Sequence, residues 1–170
     1  MKVTSKLLLA IFVLCGVAMA QDANPVVSAA KQMVDNMSKR VMGAAEAMPA
    51  GKYSLKPTPD HETFAHLIGH TAESSLRFCS KLNGTEAPAK PAETDAKEKQ
   101  VAYLQSSFTI CGEALGKLKD SELGQEMELY GGRKGTKASA LFSITGGLQD
   151  HYAQMAGYLR AADVKPPTAK

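Results

Sequence analysis

Apolar residues recur every three or four positions in four stretches of this chain, and nowhere do they alternate one-for-one with polar residues. A spacing near 3.6 gathers side chains onto one face of a helix, whereas a half-buried strand needs a period of two. A helix with one apolar face must bury it against another element. Four such helices without a sheet therefore predict an all-α fold, a four-helix bundle around one core.

The helix boundaries are marked in the sequence. Asn24-Pro25 reads as an N-cap followed by proline at the first helical position, with an apolar stripe through Val26, Ala30, Met33, Met37, Val41, Ala44 and Met48. Pro49 and Gly51 end it, and the methionines read as adaptable core packing. The second helix starts at Thr63, carries Phe64, Leu67, Thr71, Ser75 and Cys79 along one stripe, and stops at Asn83-Gly84, a C-cap signal. A linker with Pro88 and Pro91 follows, in which Lys90, Lys97 and Lys99 interleaved with Glu93 and Glu98 read as a solvated face. The third helix runs from about Asp95 through Val101, Leu104, Phe108, Cys111, Leu115 and Leu118. Gly124, Gly131, Gly132 and Gly135 mark an irregular crossover, and the fourth helix spans Thr136 to about Asp163 through Leu141, Ile144, Leu148, Met155 and Leu159. Gly146-Gly147 in its middle costs about 1 kcal/mol per glycine relative to alanine, which predicts a close helix contact or a bend there.

The N-terminus reads as a targeting segment. Lys2 and Lys6 precede an apolar run from Leu7 to Val17, and Ala18-Met19-Ala20 fits the small-x-small rule for signal peptidase. The run is short for a membrane span. The expected organisation is a signal peptide over residues 1–20, a bundle over 21–167 and a short tail over 168–170, with export to the periplasm or beyond and no stable membrane span after cleavage. Loss of Lys2 and Lys6 takes the basic residues from 20 to 18 against 17 acidic ones, leaving a formal charge near +1. Nucleic-acid binding wants clustered basic residues, and none are found here. Gly131-Gly132-Arg133-Lys134-Gly135-Thr136 lacks the spacing of a phosphate-binding Walker loop, and no strand is expected before it.

Cleavage also leaves two cysteines, Cys79 and Cys111. In an oxidising compartment an even pair reads as a bridge, with two buried free thiols as the other reading. Each lies about sixteen residues into its helix, ~24 Å along at 1.5 Å per residue. The two are level only if the second and third helices run parallel. A linker of a dozen residues spans roughly 40 Å, enough to return along the bundle. A bridge therefore predicts a crossover between these helices.

Histidine supplies the candidate chemistry. Neutral imidazole binds divalent transition metals, and bundle cores collect such ligands from facing helices. His66 and His70 are four apart, hence on one face of the second helix, and His151 lies in the fourth. His66 also occupies the third position after the Thr63 cap, where a capping box usually has Glu or Gln, so it reads first as a partly exposed first-turn residue. His61 belongs to a polar loop and is expected to face solvent. Taken singly, His70 and His151 read first as core-flanking histidines with one hydrogen bond each.

Several separated blocks, in order, resemble the DinB/YfiT-like superfamily, especially its exported bacterial members. They are Met48-Pro49 to Tyr53 with Pro57-Thr58-Pro59, then Thr63-Phe64-Ala65-His66-Leu67-Ile68-Gly69-His70, then Leu129-Tyr130-Gly131-Gly132. The last runs from His151-Tyr152-Ala153-Gln154 through Tyr158-Leu159-Arg160 to Pro166-Pro167. The resemblance implies a bundle with up-down-down-up order, in agreement with parallel middle helices. It also implies a metal site of three histidines, one on the second helix and two with H-x-x-x-H spacing on the fourth. His70 matches the first of these and His151 the third; the second falls on Gly147, which cannot ligate. His66 is the replacement candidate, with Glu73 and Asp150 as possible helpers.

Two functions follow as expectations. One is an exported protein with an incomplete divalent transition-metal site (Zn or Ni), acting as a metal-dependent transferase or hydrolase on an unidentified small molecule. The other is a non-catalytic bundle of the cell envelope that has lost the metal. A homodimer is compatible with both, and no catalytic base is identifiable.

Overall fold

A computed structural model describes residues 22–169. The signal-peptide reading lies outside the described residues. Four helices dominate: α1 (Pro25–Ala47), α2 (Phe64–Asn83), α3 (Lys97–Lys117) and α4 (Lys137–Ala161). Thr63 accepts the His66 N–H at 2.9 Å, so the expected cap forms, and Thr136, expected as the start of the fourth helix, caps it by accepting the Ser139 N–H at 3.2 Å. Gly84 closes α2 in the left-handed region at φ 68°, where a Cβ would be penalised.

The first cap departs from expectation. Asn24 makes no side-chain bond to its own helix. The Asp120 carboxylate instead accepts the N–H groups of Val26 and Val27, both at 2.9 Å, while Asn24 Oδ1 accepts the Asp120 N–H at 2.9 Å. This reciprocal clasp fastens the start of α1 to the end of α3 and makes the two antiparallel.

Cys79 and Cys111 are bridged, with Cα atoms 4.8 Å apart. Beyond the bridge, Asn83 at the end of α2 donates to Glu113 and accepts from Lys117 at the end of α3. The two middle helices are therefore parallel. Helices α1 and α4 also run together: Gln149, midway along α4, meets Met33 in the first half of α1, and Lys52, just past α1, donates to the Ala162 carbonyl past α4. The order is up-down-down-up. The core contains Val34, Val41, Met48, Phe64, Ile68, Leu76, Leu104, Leu115, Leu141, Leu148, Met155 and Leu159.

Three expectations are corrected. The crossover from α3 to α4 contains a small antiparallel hairpin, β1 (Glu126–Glu128) and β2 (Lys134–Thr136), in register Glu126 with Thr136 and Glu128 with Lys134. Gly131 and Gly132 at its tip adopt φ of 68° and 74°. Three residues are too few to display a period of two. A strand thus precedes the glycine-rich segment, and the spacing alone argues against a phosphate loop.

Second, Val26 and Met33 do not join the core; the buried face of α1 is rotated towards Val27, Val34 and Met37. Third, apart from the adjacent residues and backbone of α4 itself, no atom comes within 4 Å of a Cβ built at Gly146, and at Gly147 only His151 Cε1 does, at 4.0 Å. The glycine pair leaves space rather than admitting a neighbouring helix, and α4 runs through it unbroken.

Candidate functional site

The up-down-down-up order sets α2 against α4, and this brings the predicted histidines together. The rings of His70 and His151 meet edge to face, with centroids 5.0 Å apart and an interplanar angle of 73°. His66, one turn before His70, stacks almost parallel to it at 6.2 Å and 13°. His61 stays at the surface, its Nδ1 2.7 Å from the Thr58 hydroxyl. The three imidazoles of His66, His70 and His151 therefore form a row leading from the solvent-exposed side of α2 into the interface with α4.

Burial differs along the row. His151 is 8% exposed, whereas His70 is open to solvent. Desolvation, followed by the neighbouring His66, holds the His70 pKa below the ordinary imidazole value. Desolvation, followed by His70, does the same for His151. Both rings are thus biased to the neutral form that ligates metals. His151 Nδ1 is buried and has no hydrogen-bond partner among the described residues, an uncommon state for a buried polar atom. His70 Nε2 lies 3.4 Å from the Ser74 hydroxyl, a long contact.

The proposed helpers are otherwise engaged. Glu73 accepts from Lys90 at 2.9 Å, which holds its carboxyl below the usual range, and Asp150 accepts from Gln154 on the exposed face of α4. Among the described residues no ready-assembled group of three or more His, Cys, Asp or Glu side chains surrounds one point. Beside His151, where Gly147 stands, a void of about 10 Å³ is lined by Ser74, Ser75, Ser143 and Leu148, room for about one water. On the other side an open cleft of about 530 Å³ is bordered by Asp60, His61, His66, His70, Gln154 and Tyr158. Tyr158 is fixed by donating its hydroxyl to the Glu62 carbonyl.

Sequence reasoning missed Glu93. Its segment is not a freely solvated face but a strap tied across the bundle. Glu93 Oε2 accepts the Thr63 hydroxyl at 2.7 Å, and Oε1 lies 2.8 Å from His66 Nδ1. These contacts, Thr63 first, hold the Glu93 carboxyl below its usual range. Lys90 reaches Glu73, and Lys97 donates to the carbonyls of Glu46 and Met48, where a cation suits a helix C-terminus. The only available clue was a carboxylate placed in a linker long enough to cross α2.

Comparison with known proteins agrees with this architecture. A DinB-like protein from Bacillus cereus ATCC 10987 superposes with a TM-score of 0.70 at 15% identity, covering 84% of this chain and 97% of its own. A conserved protein from Enterococcus faecalis gives 0.64 at 18% identity, over 80% and 96%. At such identities the likeness concerns the fold. Among curated proteins nothing matches. The family model of the DinB superfamily matches residues 33–155, well over half of the sequence, and the chain belongs to that superfamily.

Proposed function

We propose that this DinB-superfamily chain is an exported protein with a divalent transition-metal site founded on His70 and His151, acting as a metal-dependent transferase or hydrolase on a small molecule. The observation that carries this reading is the pairing of two imidazoles from different helices, 5.0 Å apart, one with an orphaned buried nitrogen. Two imidazoles bonded at ~2.1 Å to one tetrahedral zinc place their centroids about 5 Å apart, the separation that His70 and His151 have. Two protein ligands are one fewer than catalytic zinc usually keeps, and Gly147 leaves that place open. A bound metal would supply Lewis-acid chemistry and lower the pKa of a coordinated water or thiol. The chain itself contributes neutral nitrogens, a small void beside His151 lined by Ser74, Ser75 and Ser143, and an open cleft beside His70 for the reacting molecule.

Export is supported by the basic and apolar opening of the sequence with its Ala18-Met19-Ala20 site, and by a disulfide of the kind that oxidising compartments permit. No helix among the described residues is long and apolar enough to cross a membrane.

Metal analysis of the natively exported protein tests the reading, together with zinc and nickel titration of the apo form. Stoichiometric binding that disappears in both His70→Ala and His151→Ala is expected. Background metal content in the wild type, unchanged in the two variants, would reject it. The open position at Gly147 favours one other reading, a bundle that keeps the fold for non-catalytic binding in the cell envelope; that outcome would select it.

A further inference from the structure

One apolar face of the molecule takes no part in the histidine site, and we infer that a second copy of this chain covers it, the two α4 helices packing antiparallel about a twofold axis. Among the described residues Val26, Met33, Tyr130 and Phe142 are the large apolar side chains left exposed. Tyr130 carries the Arg77 guanidinium 4.5 Å over its ring. The other three converge on one open groove of about 620 Å³ between α1 and α4. Scattered exposed apolar side chains are ordinary, but a contiguous set marks an interaction surface. No charged side chain lines the groove, so an acidic or basic partner has nothing to recognise there, whereas the centre of a protein interface is characteristically poor in charge. The stripe through Val26, Ala30 and Met33, which reads in the sequence as core, then finds its apolar partner in the dimer.

The relief of α4 selects a second copy as the occupant. Phe142, 71% exposed, stands out as a knob. One turn later Gly146 is a notch, since a Cβ built there meets no atom within 4 Å beyond the adjacent residues and backbone of α4 itself. Knob and notch lie on one helix, ~6 Å apart at 1.5 Å per residue. A twofold axis midway between them sets Phe142 of each copy over Gly146 of the other. Both are satisfied at once, which is the self-complementarity an isologous dimer requires. Gly146, a poor helix former in a helix that runs through it unbroken, thereby gains a role. Two helices roughly 10 Å apart, in contact over about 20 Å, give each copy a face near 400 Å² in projection. With side-chain relief the pair buries about 1,000 Å², the lower end for a specific interface and the range of a reversible dimer.

The test is sedimentation velocity of the natively processed protein over a concentration series, with circular dichroism on every variant. Wild type should pass from monomer to dimer as concentration rises. Phe142→Glu puts a charge at the centre of the contact and should raise the dissociation constant at least about a hundredfold, with an unchanged helical spectrum because the side chain is exposed in the monomer. Gly146→Leu is the sharper variant. It adds apolar surface and suits a helix better than glycine, so non-specific stickiness would grow, whereas a filled notch should weaken dimerisation at least about tenfold. Wild type that stays monomeric throughout the series overturns the inference; flotation of that monomer with phosphatidylglycerol vesicles, lost in Phe142→Glu, would assign the face to a membrane instead. A dimer that persists in Phe142→Glu overturns the choice of face. A Gly146→Leu protein that dimerises as tightly as wild type overturns the knob-and-notch seating.

Discussion

Breaking the Cys79–Cys111 bridge should lower the stability of this protein by about 4 kcal/mol. The bridge joins residues 32 apart in sequence, and closing a loop of that length removes about 12 cal/mol/K of entropy from the unfolded chain in the chain-entropy treatment, or ~3.7 kcal/mol at 25 °C. Little of this is recovered in the folded state. Both sulfurs are fully buried, and the one new bond open to a reduced Cys111 is a weak donation to the Ser75 carbonyl, 3.7 Å away. Unfolding entropy near 2.1 cal/mol/K per residue makes ~0.3 kcal/mol/K for a domain of about 150 residues, so the midpoint should fall by roughly 12 °C. The assay is a thermal melt followed by circular dichroism on oxidised wild type, on wild type reduced while unfolded and then refolded, and on the Cys79→Ala/Cys111→Ala double variant. Reductant should leave the variant unmoved. A fall of less than about 3 °C in the reduced wild type, with both thiols shown to be free, would refute the reasoning.

Further outcomes are expected elsewhere. Gly147→His adds a side chain where a Cβ meets only His151 Cε1 at an ordinary 4.0 Å, so the variant should fold and bind zinc at least a hundredfold more tightly by calorimetry; unchanged affinity would show that the scaffold does not aim this position at the pair. In metal-free protein His70 and His151 have pKa values depressed by folding, so the unfolded chain binds more protons below its own imidazole pKa of about 6.5. Stability should therefore be full above about pH 6.5 and fall as the pH drops towards the folded values, before the carboxylates titrate. Melts between pH 7.5 and 5 should show a smaller drop in the His70→Ala/His151→Ala variant. Asp120→Ala deletes two bonds to the first turn of α1 and should cost about 1–2 kcal/mol in urea unfolding, with fast hydrogen exchange confined to that turn.

What the sequence disclosed was local or topological. Thr63, Thr136 and Gly84 mark helix ends through chemistry that acts within four residues, and they stand where they were expected. The cysteines went further, because a disulfide reaches only a few ångströms and two cysteines equally deep in their helices admit a single relative direction. The meeting of His70 with His151 followed from the same bundle order. What stayed hidden depends on long-range partners or on vacant space. Asp120 caps an amide, that of Val26, 94 residues earlier, Glu93 finds His66 27 positions back beyond most of α2, and nothing local marks either. The gap left by Gly146 and Gly147 was misread because glycine announces both close packing and room. The hairpin is held by tertiary contacts, with the Arg77 guanidinium 4.5 Å over the Tyr130 ring and Lys81 paired with Glu128, not by a strand pattern of its own.

The clasp between Asn24 and Asp120 also bears on how the chain comes to be folded. The 96 positions between these partners set an interval, while the chain is delivered to its compartment, before the clasp can close. Throughout that interval the opening turn of the first helix has no acceptor for its leading amides, and it stays frayed until the end of the third helix arrives. Fragments that stop short of residue 120 inherit the same fraying permanently, which makes the amino-terminal edge of such pieces the place where proteases should cut first.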